Sequence, residues 1–264
     1  MHVAVLGLGE AGSLFAADLV AAGVSVSAFD PGPVPTPEGV VRGDDPAETV
    51  GGVDIVLALT GPAEAAEVFR ATVDELAAGA IFADLTTSPP AAKAERAAIA
   101  TALGCAFVDV ALMAPVPGRG LRTPALASGA GAAEYAAAME RLDVPVEAIG
   151  GAAGDATTRK LLRSVTMKGL AALVIEALRG ADAAGLFDWL WADLVAELTA
   201  ADERLLVRLV EGTGVHAGRR VHEMEACAAM LESLGVDPVM TSATVEALRR
   251  VPIVGIPEVS AQTT

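Results

Sequence analysis

The chain has 264 residues, 53% of them hydrophobic and only 3% aromatic, with a formal net charge of −16. That length allows one large domain or two smaller ones, and a core of Ala, Val and Leu favours close-packed helices over a β-sandwich. The charge argues against nucleic acid or an anionic membrane as a partner, since no excess of cations is present to neutralise phosphates. No apolar run reaches transmembrane length; the stretch from Leu170 is broken by Glu176, Arg179 and Asp182. No basic segment followed by an apolar one marks a signal peptide. Cys105 and Cys227 have no metal-ligand spacing and read as small buried residues in a reducing compartment, so a cytoplasmic protein without a metal is expected.

The first element is a short strand, Val3 to Leu6, running into Gly7-Leu8-Gly9-Glu10-Ala11-Gly12 and then an Ala-rich helix from Ser13 to Ala22. Strand, Gly-rich turn and helix in this order can hold a dinucleotide pyrophosphate. Gly7 permits the tight turn, Gly9 lets phosphate approach the backbone, and Gly12 lets helix and strand pack closely. All six residues of the turn are candidate cofactor contacts, because unpaired N–H groups at a helix start attract anions. A second strand, Val24 to Asp30, ends in an acid 18 residues past Gly12. Asp30 is placed to accept hydrogen bonds from the adenosine ribose and to repel a 2′-phosphate, favouring NAD over NADP; otherwise Asp30 to Pro33 is simply a turn. Arg42 is a possible phosphate partner, but no basic residue directly follows Asp30.

Pro31 to Glu38 is a Pro-rich loop. Asp54 to Thr60 reads as a buried strand, Ala63 to Ala77 as a helix and Ala80 to Thr86 as another strand. Strand ends of this kind form the ligand crevice of an open α/β sheet, which makes Thr60, Thr86, Thr87 and Ser88 candidates to meet a nicotinamide. Ser or Thr before Pro is equally a helix cap; capping is preferred for Ser88 and both roles stay open for Thr86 and Thr87. The strand Ala106 to Ala111 is followed by Leu112 to Pro124, where prolines and glycines frame Arg119, and then by the strand Ala125 to Ser128. Arg119 either presents a cation to an anionic substrate or is a solvated loop residue.

After the run Gly150 to Gly154 no strand alternation is evident. Asp155 to Arg179 reads as one long helix, followed by helices over Leu186 to Ala201, Asp202 to Glu211, Ala217 to Leu234 and Thr241 to Arg249. The fold class expected is an α/β Rossmann domain with a mostly parallel sheet over residues 1–152, then an all-helical domain over 153–264.

Of 18 basic residues only Lys93, Lys160 and Lys168 are lysines. Lys160, Ser164 and Lys168 recur every four residues on the long helix and so share one drifting face. A lysine there suits acid/base work at the oxygen or nitrogen that exchanges a proton during hydride transfer, because burial or a neighbouring cation lowers its pKa; a solvated helix face is the other reading. His216, Arg219 or Arg220, and Glu223 line one side of a later helix. His216 and Arg220 could bind a substrate carboxylate or cofactor phosphate, or belong to a charged surface or subunit-interface helix.

On these motifs the chain resembles the β-hydroxyacid dehydrogenase superfamily, which includes 3-hydroxyisobutyrate and 6-phosphogluconate dehydrogenases, with imine reductases as distant relatives. The carrying segments are Gly7 to Gly12, Asp84-Leu-Thr-Thr-Ser-Pro-Pro90 and Gly154-Asp-Ala-Thr-Thr-Arg-Lys160. The resemblance implies that Lys160, six residues after Gly154, is the catalytic lysine. Ser164 stands where the family has an Asn, and Met113 roughly where its substrate-loop Ser would be, so the contacts to the substrate headgroup must differ. The runs Met113 to Gly120, Arg219 to Glu225 and Gly235 to Pro238 are similar to a subgroup of 6-phosphogluconate dehydrogenase-like proteins. The family dimerises through its helical domain, for which Trp189 and Trp191 are candidates; burial in the core would equally account for them.

The function expected is an NAD(P)-dependent oxidoreductase, NAD being favoured, acting on a small anionic hydroxy acid. Lys160, Ser164 and Lys168 are its catalytic candidates, and Thr87, Met113, Arg119, His216 and Arg220 its substrate contacts. An imine reductase-like enzyme and a non-catalytic dinucleotide-sensing dimer are the alternatives.

Overall fold

The computed structural model describes residues 1–259. The chain divides into two compact units, Met1–Arg163 and a second that starts at Ser164.

The first unit is built on eight strands: β1 (His2–Leu6), β2 (Ser25–Phe29), β3 (Val41–Arg42), β4 (Ile55–Ala58), β5 (Ile81–Asp84), β6 (Ala106–Leu112), β7 (Ala125–Ser128) and β8 (Val146–Ala148). Their order is β3-β2-β1-β4-β5-β6-β7-β8. Every neighbouring pair is parallel except β6 and β7. The chain winds outward from β1 in both directions, so the strand order reverses beside β1, where open α/β sheets form their ligand crevice. Helices α1 (Glu10–Ala21), α2 (Pro46–Thr49), α3 (Ala65–Thr72), α4 (Pro90–Ala102) and α5 (Ala132–Glu140) connect the strands.

Period-two alternation sends neighbouring strand residues to opposite faces. Val3 and Val5 join Ile55 and Leu57 in one apolar cluster with Phe15 and Leu19 of α1. Ala4 and Leu6 join Val56 and Ala58 in the other, with Phe69 of α3 and Phe82 and Phe107 of the sheet. Both faces are covered, which is why these strands read as continuous apolar runs. Phe69 meets Phe82 edge-on at 5.1 Å between ring centroids, and Phe82 stacks on Phe107 at 5.9 Å.

The rest is helical: α6 (Asp155–Ala183), α7 (Phe187–Thr199), α8 (Glu203–Ser233) and α9 (Val239–Val254). The division between the units falls inside α6, after Arg163. The two helices expected over 202–211 and 217–234 meet in α8 across a kink at His216, which has non-helical φ −119° and ψ 18°, so the second begins at Ala217 as expected. In the second unit Val221, Val245 and Leu248 form a small core. The buried Glu176 carboxylate accepts from Met240 N at 2.7 Å, Thr241 N at 2.8 Å and Thr241 Oγ1 at 2.6 Å, satisfying the start of α9. Among the described residues no helix is long and apolar enough to cross a membrane.

Candidate functional site

Each glycine of the first turn has a different physical reason. Gly7 leaves β1 at φ +98°, and its amide donates to Phe29 O at 2.8 Å, fastening the turn to β2. A Cβ on Gly12 would lie 1.8 Å from Gly7 O, so α1 can cross the strand end only with glycine there. A Cβ on Gly9 would meet no protein atom within 4 Å. Gly9 lines a cavity of about 610 Å³ shared with Gly7, Asp30 and Thr60. It also opens α1 without a side-chain cap, so the first-turn amides have no partner within the helix. Glu10 is exposed and Ala11 half-buried at this turn, whereas the Leu8 side chain is buried. Leu8 contributes its amide, which donates to Asp30 Oδ2 at 2.6 Å.

Asp30 Oδ1 accepts from Gly32 N at 2.7 Å, so one carboxylate links the turn to the loop after β2. Arg42 spends its donors on that loop, reaching Val34 O at 2.5 Å, Asp30 O at 2.6 Å, Gly32 O at 2.7 Å and Thr36 Oγ1 at 3.2 Å. It therefore shapes the loop rather than presenting a free fork to phosphate. The carboxylates lining the cavity are Asp30, Glu64 and Glu67, and its lining contains no Lys or Arg. Thr60 Oγ1 is buried without a hydrogen-bond partner among the described residues and lines the same cavity; such an atom calls for a partner from outside. A bare glycine face, uncapped amides and an orphaned hydroxyl around one cavity fit a dinucleotide.

The other half of the site lies at the ends of β5 and β6. Lys160 Nζ donates to Thr87 Oγ1 at 3.3 Å. Arg163 Nη1 donates to Met113 O at 2.7 Å, fastening the loop after β6 to α6; Met113 enters through its carbonyl. Thr87 is exposed, but Thr86 and Ser88 are buried. The Thr86 hydroxyl bonds Asp84 Oδ1 at 2.6 Å and Ser88 Oγ at 2.7 Å. Ser88 therefore does not cap α4, whose start has no side-chain cap and places Pro90, without an N–H, in its first turn.

A cluster of buried charge lies among these elements. Lys93 Nζ sits 2.7 Å from Asp109 Oδ1 and 2.9 Å from Asp84 O. Arg96 Nη2 is 3.0 Å from Asp84 Oδ2. Asp109 also accepts from Thr157 Oγ1 at 2.6 Å and from the amides of Thr157 at 2.8 Å and Gly154 at 3.0 Å. Burial alone would raise the Asp109 pKa, but the Lys93 ammonium and the Thr157 hydrogen bonds outweigh it and hold the carboxyl below its usual range. The sequence reading missed this cluster. Its signal was available: a lysine on an otherwise Ala-rich helix, and an acid in each of two successive apolar strands.

Arg119 is exposed in its loop. Ser164 and Lys168 follow Lys160 along α6 but belong to the second unit. His216 is exposed at the kink of α8, and Arg220 Nη1 donates to Thr213 Oγ1 within that same helix. Among the described residues no group of three His, Cys, Asp or Glu could hold a metal ion.

Residues 2–156 match the family described as the NAD binding domain of 6-phosphogluconate dehydrogenase, and residues 181–251 match a domain of unknown function, DUF1932. An uncharacterized 28.5 kDa protein of Methanothermus fervidus is 33% identical over 110 residues, 40% of this chain and 42% of that protein. The chain thus matches less than half the length of this curated relative. A solved protein of unknown function, described as structurally similar to 3-hydroxyacid dehydrogenases, is 26% identical with a TM-score of 0.60, over 95% of this chain and 96% of that one. An imine reductase from Streptomyces aurantiacus shares the fold, with a TM-score of 0.80 at 22% identity over 97% of this chain and 95% of that one.

Proposed function

Because the chain belongs to the family of the 6-phosphogluconate dehydrogenase NAD-binding domain, within the β-hydroxyacid dehydrogenase superfamily, we propose that it is an NAD-dependent oxidoreductase of a small hydroxy acid or its keto form. The observation that carries the reading is the Lys160–Thr87 pair, an ammonium and a hydroxyl meeting at a strand end of a sheet that also offers a dinucleotide cavity. A nicotinamide, when bound, would supply or accept the hydride. The α1 amides and Gly9 would hold the pyrophosphate, Asp30 a ribose hydroxyl, and Thr60 the nicotinamide half. As the neutral amine Lys160 takes the hydroxyl proton in oxidation, and as the ammonium it returns that proton in reduction, with Thr87 orienting its Nζ. Arg119, exposed in its loop, serves the substrate's acid end. In a chain of net charge −16, an anionic substrate needs such local cations.

The reading for NAD over NADP rests on the carboxylates of the cavity and on the commitment of Arg42 to its loop. The test is a panel: 2- and 3-keto acids and cyclic imines offered with NADH and NADPH. Turnover of keto acids with NADH is the expected result. Turnover of imines alone would make the protein an imine reductase. Tight NADH binding with no turnover across the panel would favour a sensor.

The helical unit leaves Trp189 63% and Trp191 52% exposed, along with Leu186 and Val195. Apolar exposure of this kind marks an interaction surface, and we propose a second copy of this chain as its occupant. Sedimentation should find a dimer at micromolar concentration and a monomer after Trp189→Asp; a monomeric native chain would contradict it.

A further inference from the structure

Asp84, Lys93, Arg96 and Asp109 do not line the dinucleotide cavity, yet the bonds of this buried charge cluster end on the two segments that carry Thr87 and Lys160. Asp84 and Asp109 are register partners on β5 and β6, and both are buried. Two carboxylates side by side repel one another unless cations separate them. Lys93, wholly buried, does so from α4, bonding the main chain of one strand and the carboxylate of the other. With Arg96 beside Asp84 the cluster balances two negative charges with two positive ones.

Asp84 Oδ1 accepts both the amide and the hydroxyl of Thr86, the residue before Thr87. Asp109 accepts the amides of Gly154 and Thr157 and the hydroxyl of Thr157, which lies one turn before Lys160. Gly154, at φ +109°, seats the start of α6 so closely on α4 that a Cβ would lie 2.8 Å from Pro90 O. The bonds run from Thr86 through Asp84, Lys93 and Asp109 to Thr157, all within the first unit.

The geometry points to Lys93 and Asp109 as positioning residues that fix the first turn of α6 against the end of β5, so that Lys160 meets the substrate beside Thr87 in one orientation. Neither touches substrate or cofactor. The inference rests on Lys160 being the acid/base.

The test uses the full chain with Thr157→Val, which removes the hydroxyl bond to Asp109 but keeps the shape and the backbone bond. Thr157→Ser restores the hydroxyl. Asp109→Asn is the stronger variant, and Lys160→Ala is run in the same assay. Thr157→Val should lower kcat about ten- to a hundredfold, leave NADH binding within about twofold, and be rescued by Thr157→Ser. A second readout needs no substrate: NMR titration of the lysine amines after reductive 13C-methylation, with Lys160 assigned by its loss in Lys160→Ala. The Lys160 midpoint should move in Thr157→Val and return in Thr157→Ser, while Lys168 stays in place. Unchanged kcat and an unmoved Lys160 midpoint in Thr157→Val and Asp109→Asn would overturn the positioning role. Wild-type kcat in Lys160→Ala would instead overturn the acid/base reading; the titration alone then decides the positioning, and an unmoved midpoint overturns it.

Discussion

Gly9 and Gly12 belong to one fingerprint but answer to different constraints in the folded chain. Gly12 is required by Gly7 O, 1.8 Å from where its Cβ would sit, and Gly9 by nothing in the protein. Gly12→Ala should therefore destabilise the fold by about 1–3 kcal/mol through overpacking, seen as a lowered urea midpoint. Gly9→Ala should leave the midpoint within about 0.5 kcal/mol and weaken NADH binding tenfold or more, about 1.4 kcal/mol, because the added methyl projects into the cavity. Equal stability losses in the two variants would contradict this division. These glycines were legible in the sequence because their roles follow from local chain geometry. Lys93 was not: its role depends on which strand ends α4 packs over, and spacing along one helix does not reveal that. Thr86 and Thr87 show the same limit, since adjacent identical residues part into a buried network and an exposed contact with Lys160.

At the scale of elements, length and the lack of alternation marked the long helices, and short continuous apolar runs bounded by turn residues marked the buried strands. The two-residue β3, the three-residue β8 and the four-residue α2 are too short to carry a period. The break expected between residues 211 and 217 is the kink of α8 at His216, where nearby glycines lower helix propensity. The start of α6 depends on the Asp109 carboxylate, and this sets a pH dependence. A folded-state pKa lowered below the unfolded value contributes stability above the unfolded value, and that stability is lost as pH falls through the folded one. Asp109 is lowered, as is Glu176, where burial opposes but the bonds from Thr241 and Met240 prevail. Stability should thus hold from pH 7 to about 4 and decline below it, the ordinary carboxyl range. In urea unfolding followed across pH, Asp109→Asn should be less stable at pH 6 and show a shallower acid decline; an acid decline as steep as the native one would contradict the assignment. Lys93→Met, which leaves a carboxylate without its buried partner, should cost about 3–5 kcal/mol. A loss below about 1 kcal/mol would mean that the pair behaves like a surface salt bridge.

For the whole molecule, a net charge of −16 works against every anionic ligand, and the fold meets this locally. The uncapped first-turn amides and dipole of α1 favour an anion at its start, while Asp30, Glu64 and Glu67 line part of the cavity. NADH should bind at least about tenfold more tightly than NADPH, a preference of about 1.4 kcal/mol. The ratio should narrow as salt screens the repulsion of the 2′-phosphate; equal affinity at low salt would contradict the role given to Asp30, Glu64 and Glu67. The central claim joins that cavity to a proton-transfer group on α6, and single-turnover hydride transfer in Lys160→Ala tests it most directly. The account predicts NADH binding within about twofold of native and hydride transfer to a keto acid slowed by at least about a hundredfold. Hydride transfer at the native rate with NADH bound normally would contradict it.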